Sequence, residues 1–106
     1  MNILDLLDKN EPQNYAQRAL KTIKCRKKIV LFGAAEYGKI ICNYLREHEI
    51  FPILYCDNSK NKIGTKWNGL DVADPNKIDK DCFIIITCNA YREIMAQLKE
   101  LGFDKS

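Results

Sequence analysis

The sequence holds one histidine, one tryptophan, two methionines and no long apolar run. Each scarcity excludes something. With a single histidine, and with none of the five cysteines in a CxxC pair, no metal site is expected. The longest apolar runs, Ile29 to Phe32 and Cys82 to Thr87, fall far short of the roughly 20 residues a membrane-spanning helix needs. Met1 to Leu7 is interrupted by Asp5, and no signal peptide is legible. The expectation is a cytoplasmic protein with no membrane partner, in which Cys25, Cys42, Cys56, Cys82 and Cys88 are reduced thiols.

What is present reads as one small globular domain. At 46% hydrophobic and 29% charged the composition is that of a globular and not a disordered chain, and 106 residues leave no room for a complete six-stranded dinucleotide fold. The net charge of +3 comes largely from Arg18, Lys21, Lys24, Arg26, Lys27 and Lys28. No aromatic residue interleaves that run for base stacking, so it reads as a solvated helix end rather than a nucleic-acid surface.

Residues 2–8 and 13–25 have helical patterning, the second with Tyr15, Ala16, Ala19, Leu20 and Ile23 on one face, and residues 1–27 are expected to form an N-terminal helical arm. The remainder, 28–106, alternates strands and helices. Lys28 to Phe32 is a continuous apolar run of the kind buried on both faces of a parallel sheet. From Glu36 the period becomes helical, with Tyr37, Ile40, Ile41, Tyr44 and Leu45 expected inward. Ile53 to Cys56 reads as a second strand, stopped by Asp57-Asn58-Ser59. Asn68-Gly69, flanked by Lys62 to Trp67 and Leu70 to Val72, predicts a small β-hairpin insertion, because both turn positions accept positive φ. Asp74-Pro75 opens a short helix through about Ile78 by a capping carboxylate and a proline at the first helical position. Cys82 to Thr87 is a further buried strand, and a last helix runs from Ala90 to about Leu101, with Tyr91, Ile94, Met95, Leu98 and Leu101 inward and Gly102 as its stop. Phe103 could begin one more strand. The expected fold class is α/β: a Rossmann-like three-layer domain with a short, mostly parallel sheet of three or four strands, complete or truncated.

The chemistry concentrates in Gly33-Ala34-Ala35-Glu36-Tyr37-Gly38, between the first strand and the first helix, where a dinucleotide fingerprint belongs. Gly33 permits the tight turn, position 35 governs how closely backbone approaches a phosphate, and Gly38 lets the helix pack on the sheet. The helix N-terminus supplies N–H groups and partial positive charge. Ala35 stands where the second glycine is usual, which favours one phosphate or a shifted diphosphate over a close NAD grip. Asp57, 19 residues beyond Gly38, sits where a carboxylate would bind ribose hydroxyls. Asn58 accompanies it. Asp-Asn-Ser is also ordinary turn chemistry. Thr87 ends the buried Cys82 to Thr87 strand and Asn89 lies just beyond it; both are candidate donors to a ribose, phosphate or base, with Asn89 alternatively capping the last helix. No catalytic set emerges: His48 reads as a surface residue, Cys56 and Cys88 as core thiols without an activating neighbour, and Trp67 as a packing or interface residue of the hairpin or, alternatively, a ligand contact.

The segments Ile29 to Lys39, Tyr55 to Asn58, Ile63-Gly64 through Asn68 to Val72, and Ile84 to Thr87 together resemble the Rossmann-like domain found beside bacterial glycosyltransferases, FkbM-type methyltransferases and sugar acetyltransferases of surface-polysaccharide pathways. They are also similar to the nucleotide-sugar-binding front domain of PglD-type acetyltransferases. The resemblance covers about residues 28–103. It implies a nucleotide, nucleotide-sugar or NAD(P) ligand, with Gly33, Ala35 and Gly38 at the phosphate and Asp57 at the ribose, and a catalytic partner domain. Separately, the exposed edge of so short a sheet leads one to expect pairing or covering by a partner, a second copy of the chain included. Three readings stand at this level: a binding module, the NAD(P)-binding front half of a dehydrogenase or epimerase, and a ligand-free interaction domain.

Overall fold

The computed structural model describes residues 28–103; the helices expected over 2–8 and 13–25, and the arm at 1–27 that contains them, lie outside the described residues. In chain order come β1 (Ile29–Phe32), α1 (Glu36–Glu47), β2 (Leu54–Cys56), β3 (Lys66–Trp67), β4 (Leu70–Ala73), a 3-10 turn (Pro75–Lys77), β5 (Phe83–Ile86) and α2 (Tyr91–Glu100). They form a small α/β domain on a mixed, mostly parallel five-stranded sheet of order β3-β4-β2-β1-β5. β1 pairs in parallel with both β2 and β5, β2 pairs in parallel with β4, and only β3 with β4 is antiparallel.

Five strands replace the three or four expected because the hairpin is part of the sheet rather than an excursion from it. Its second arm, β4, lies against β2 with Tyr55 opposite Val72 and Cys56 opposite Ala73. The turn is the one its dipeptide requires: Asn68 (φ 53°) and Gly69 (φ 85°) both take positive φ between the paired Trp67 and Leu70. Its first arm is shorter than the Lys62 to Trp67 segment suggested, since Lys62 and Ile63 instead close a turn onto the Ser59 carbonyl.

Alternation along the central strands sorts the core into two faces. Ile29, Leu31, Tyr55, Val72, Phe83 and Ile85 pack with Ile41, Cys42 and Leu45 of α1. Val30, Phe32, Cys56, Ile84 and Ile86 pack with Ile94 and Leu98 of α2. One helix thus covers each side of a sheet whose β1 and β5 are buried at every position, as parallel strands with covered faces must be.

The α1 face is rotated from the expected stripe. Gly38, Ile41, Cys42 and Leu45 are its buried residues, whereas Tyr37 is 39% and Ile40 53% exposed. A stripe chosen by side-chain size overlooks that the closest approach to a sheet is made by the smallest residue, and Gly38 sets that line. In α2 the expected inward residues Ile94 and Leu98 are buried and Tyr91, Met95 and Leu101 are half-buried.

Both helices end in Schellman motifs. In α2 the Phe103 N–H donates to the Leu98 carbonyl and the Gly102 N–H to the Lys99 carbonyl, with Gly102 at φ 102°. Phe103 therefore closes the helix instead of opening a strand, and its ring packs on the α2 side of the core. In α1 the same pattern places Glu49, at φ 62°, in the left-handed position. Asp74 caps the Pro75–Lys77 turn by accepting from the Asn76 N–H at 2.9 Å, as read from the sequence, although the turn is 3-10 and not α. No helix among the described residues is long and apolar enough to cross a membrane.

Candidate functional site

The registers bring Phe32, Cys56, Ala73 and Ile86 level with one another, so the connections that follow all four parallel strands leave from one end of the sheet. From β1 the chain steps outward to β2 and then β4, and it returns to the opposite side of β1 for β5. The connections after β1 and β5 therefore part to opposite faces, and the sequence-predicted residues Gly33 to Gly38, Asp57, Asn58, Thr87 and Asn89 are gathered around that end.

The turn is constrained from below. Gly33 has φ 130°, and a Cβ there would lie 2.6 Å from Thr87 Oγ1. A Cβ on Gly38 would collide with the Gly33 carbonyl oxygen and reach Tyr55 Cε1 at 3.0 Å. Both glycines are thus required by packing whatever the turn binds. Ala34 is buried, while Ala35, Glu36 and Tyr37 are exposed at the mouth. Ala35 is the N-cap of α1 in extended conformation (φ −146°, ψ −167°), with no side-chain cap. The first helical bond runs from the Lys39 N–H to the Ala35 carbonyl at 3.0 Å, so the amides of Glu36, Tyr37 and Gly38 have no acceptor within the helix.

Asp57 is tied to this turn. Its Oδ2 accepts from the Ala34 N–H at 2.9 Å and its Oδ1 from the Ser59 N–H at 2.9 Å, with Lys62 Nζ 3.9 Å from Oδ2. The ordinary turn chemistry of Asp-Asn-Ser and a longer reach to the glycine turn are therefore both present. A carboxylate has about four acceptor positions, so two amide bonds leave capacity for a hydroxyl donor. Asn58 instead forms a reciprocal amide pair with Gln97 of α2, at 2.9 Å in each direction.

Thr87 is engaged inside the fold. It is buried, and its hydroxyl faces the carbonyls of Phe32 and Gly33, each at 3.1 Å, so its one proton already lies between two internal acceptors. It fastens the end of β5 to the start of the turn. Asn89 is exposed, and the N-cap of α2 is Ala90 without a side-chain cap, so the capping alternative for Asn89 is not realised.

Two residues that sequence reasoning did not assign to the turn hold its helical half. The Trp67 indole N–H donates to the Ala35 carbonyl at 2.9 Å. The buried Tyr55 hydroxyl donates to the Gly38 carbonyl at 2.8 Å and accepts from Asn68 Nδ2 at 3.5 Å. A tyrosine in the middle of a buried strand was the available signal, since a buried phenol needs a partner. Burial pushes its hydroxyl well above the usual phenol range, so it stays protonated and donates.

The thiols at this end are unactivated. Desolvation, and then the Asp57 charge, pushes Cys56 far above its ordinary value, and desolvation raises Cys88. His48 is half-buried at the far end of α1, its Nδ1 2.9 Å from the Tyr44 carbonyl and its ring 4.6 Å from that of Tyr44. The arrangement offers backbone donors, a helix N-terminus and one carboxylate with acceptor capacity.

A family model described as C2185-like, N-terminal matches residues 25–106. No curated protein matches the chain.

Proposed function

We propose that this chain, which belongs to the C2185-like N-terminal family, is a Rossmann-like module that binds a nucleotide or nucleotide sugar and serves a sugar-modifying protein of a surface-polysaccharide pathway. The observation that carries the reading is the strand order. In an open parallel sheet, ligands bind beyond the carboxyl ends of the strands where the order reverses, and here that reversal lies between β1 and β5 with the α1 N-terminus above it. The amides of Glu36 and Tyr37 would take phosphate oxygens. Asp57 would take a ribose hydroxyl through its remaining lone pairs, and exposed Asn89 would reach the ligand from the β5 side. Ala35, exposed at the mouth, favours a ligand held through one phosphate or a shifted diphosphate over a close NAD(P) grip.

A second reading, an interaction domain without ligand, is favoured by the packing demands on Gly33 and Gly38, which account for both glycines without any phosphate.

The two separate by thermal unfolding of the protein with NAD, NADP, UDP-sugars, CDP, AMP and coenzyme A. A ligand at 100 times its Kd adds about 2.7 kcal/mol of stability, which raises the Tm by several degrees in a domain of this size. Glu36→Pro is the variant that tests the place of binding. It deletes one anion-facing amide at the first helical position, where proline is favoured, and the extended backbone of Ala35 is what a residue before proline needs. Glu36→Ala controls for the lost charge. A shift that survives in Glu36→Ala and is clearly smaller in Glu36→Pro establishes the module; a flat response across the panel in the unmodified protein favours the interaction domain.

A further inference from the structure

The hairpin is fastened to α1 along its length. Arg46 Nη2 donates to the Asn68 carbonyl at 3.2 Å, Asn68 Nδ2 donates to Asn43 Oδ1 at 3.2 Å and toward the Tyr55 hydroxyl at 3.5 Å, and the Trp67 indole N–H reaches the Ala35 carbonyl at 2.9 Å. The first two could serve packing anywhere on the helix, and the third ties the turn to β2. The fourth lands on the N-cap carbonyl of the glycine turn, which also accepts the first helical bond from Lys39.

That carbonyl matters because a peptide group is planar. The Ala35 C=O and the Glu36 N–H belong to one rigid unit, so whatever sets the direction of the carbonyl sets the direction of the amide. No side chain caps this helix, and no side-chain acceptor from Ala35 therefore orients its first amides. The indole N–H takes that part from the carbonyl side of the same peptide.

Resting on the nucleotide-binding reading above, we propose that Trp67 is a positioning residue for the phosphate site: its hydrogen bond to Ala35 aims the Glu36 amide at the ligand. Trp67 touches no ligand in this proposal. It acts through one peptide plane, and so its effect requires the Glu36 N–H.

A double-variant cycle reads that dependence. UDP and inorganic pyrophosphate are titrated, well below the unfolding temperature, into the unmodified protein, Trp67→Phe, Glu36→Pro and the pair, and hydrogen exchange of the Glu36 amide is followed in the first two. Trp67→Phe should weaken binding about three- to tenfold, the range of one hydrogen bond, and should speed exchange at Glu36. On the Glu36→Pro background, which has no such amide, Trp67→Phe should change nothing further. Benzothienylalanine at position 67 keeps the ring outline and removes only the N–H, and it should reproduce Trp67→Phe if the phenyl variant folds poorly. Unchanged affinity in both 67 variants overturns the proposal and leaves the nucleotide reading standing, as does a loss that simply adds to that of Glu36→Pro. No binding of either probe by the unmodified protein overturns the nucleotide reading and this proposal together.

Discussion

Glu49 carries the clearest local strain among the described residues. It occupies the left-handed position of the α1 Schellman motif at φ 62°, which α2 gives to glycine at Gly102. An L side chain there costs about 1–2 kcal/mol, so Glu49→Gly should raise stability by about 1 kcal/mol, the remainder offset by the greater freedom of glycine in the unfolded chain; the urea midpoint measures it. Gly38 and Gly69 form a contrasting pair. A Cβ on Gly69 meets nothing within 4 Å, so Gly69→Ala should cost only its positive φ, about 1 kcal/mol. Gly38→Ala must move α1 away from the Gly33 carbonyl and should cost well over 2 kcal/mol, as overpacking against backbone does. Equal losses in the two variants would mean that the helix is not seated as tightly as its glycine implies.

At the scale of the element, the hairpin and α1 stabilise one another. Asn68 takes part in three contacts from one turn position: its carbonyl accepts from Arg46, and its amide reaches Asn43 and the Tyr55 hydroxyl. Asn68→Gly would keep the positive φ and lose only the side-chain bonds. It should cost about 1 kcal/mol, and Asn68→Ala more, because alanine also resists φ 53°. Thermal unfolding of the two variants side by side resolves the two contributions. The elements themselves were legible in sequence where their causes are local. Asn68-Gly69, Asp74-Pro75 and Gly102 each name a backbone conformation directly, and each is found. The face of α1 was not legible, because whether Ile40 or Cys42 points inward depends on the sheet that packs beneath it.

For the whole molecule, two buried groups among the described residues, Cys56 and Tyr55, point one way with pH. Burial raises the thiol of Cys56 far above its ordinary 9.0 and the hydroxyl of Tyr55 far above its ordinary 10.0. A raised native value means that the folded state keeps a proton that the unfolded chain has released, so this stability is complete below the unfolded value and is lost as pH rises past it. The urea midpoint should therefore hold between pH 7 and 8 and fall progressively above about 9, first through Cys56 and then through Tyr55. Lys28, raised by its hydrogen bond to Asp81, adds in the same direction at the surface. A midpoint that rises between pH 9 and 10.5 would contradict the burial of these groups. The same physics predicts that Cys56 and Cys88 resist alkylation at pH 8 in the folded protein and react readily in urea.

The sequence alone determined the strand, glycine turn and helix from Ile29 to Glu47, the hairpin turn, the Asp74 and Gly102 caps and the assignment to an α/β class, because each follows from contacts and dihedral preferences within a few residues. It also placed Gly33, Asp57 and Thr87 at one end of the sheet, since strands that run parallel bring their ends together. Only the tertiary structure decided what those residues do there. Thr87 faces inward onto two carbonyls, Asp57 reaches the Ala34 amide, and Trp67 and Tyr55 take the carbonyls of Ala35 and Gly38. Those bonds join residues from 17 to 55 positions apart. Their geometry is set by the order in which β4, β2, β1 and β5 assemble, and no local pattern encodes that order.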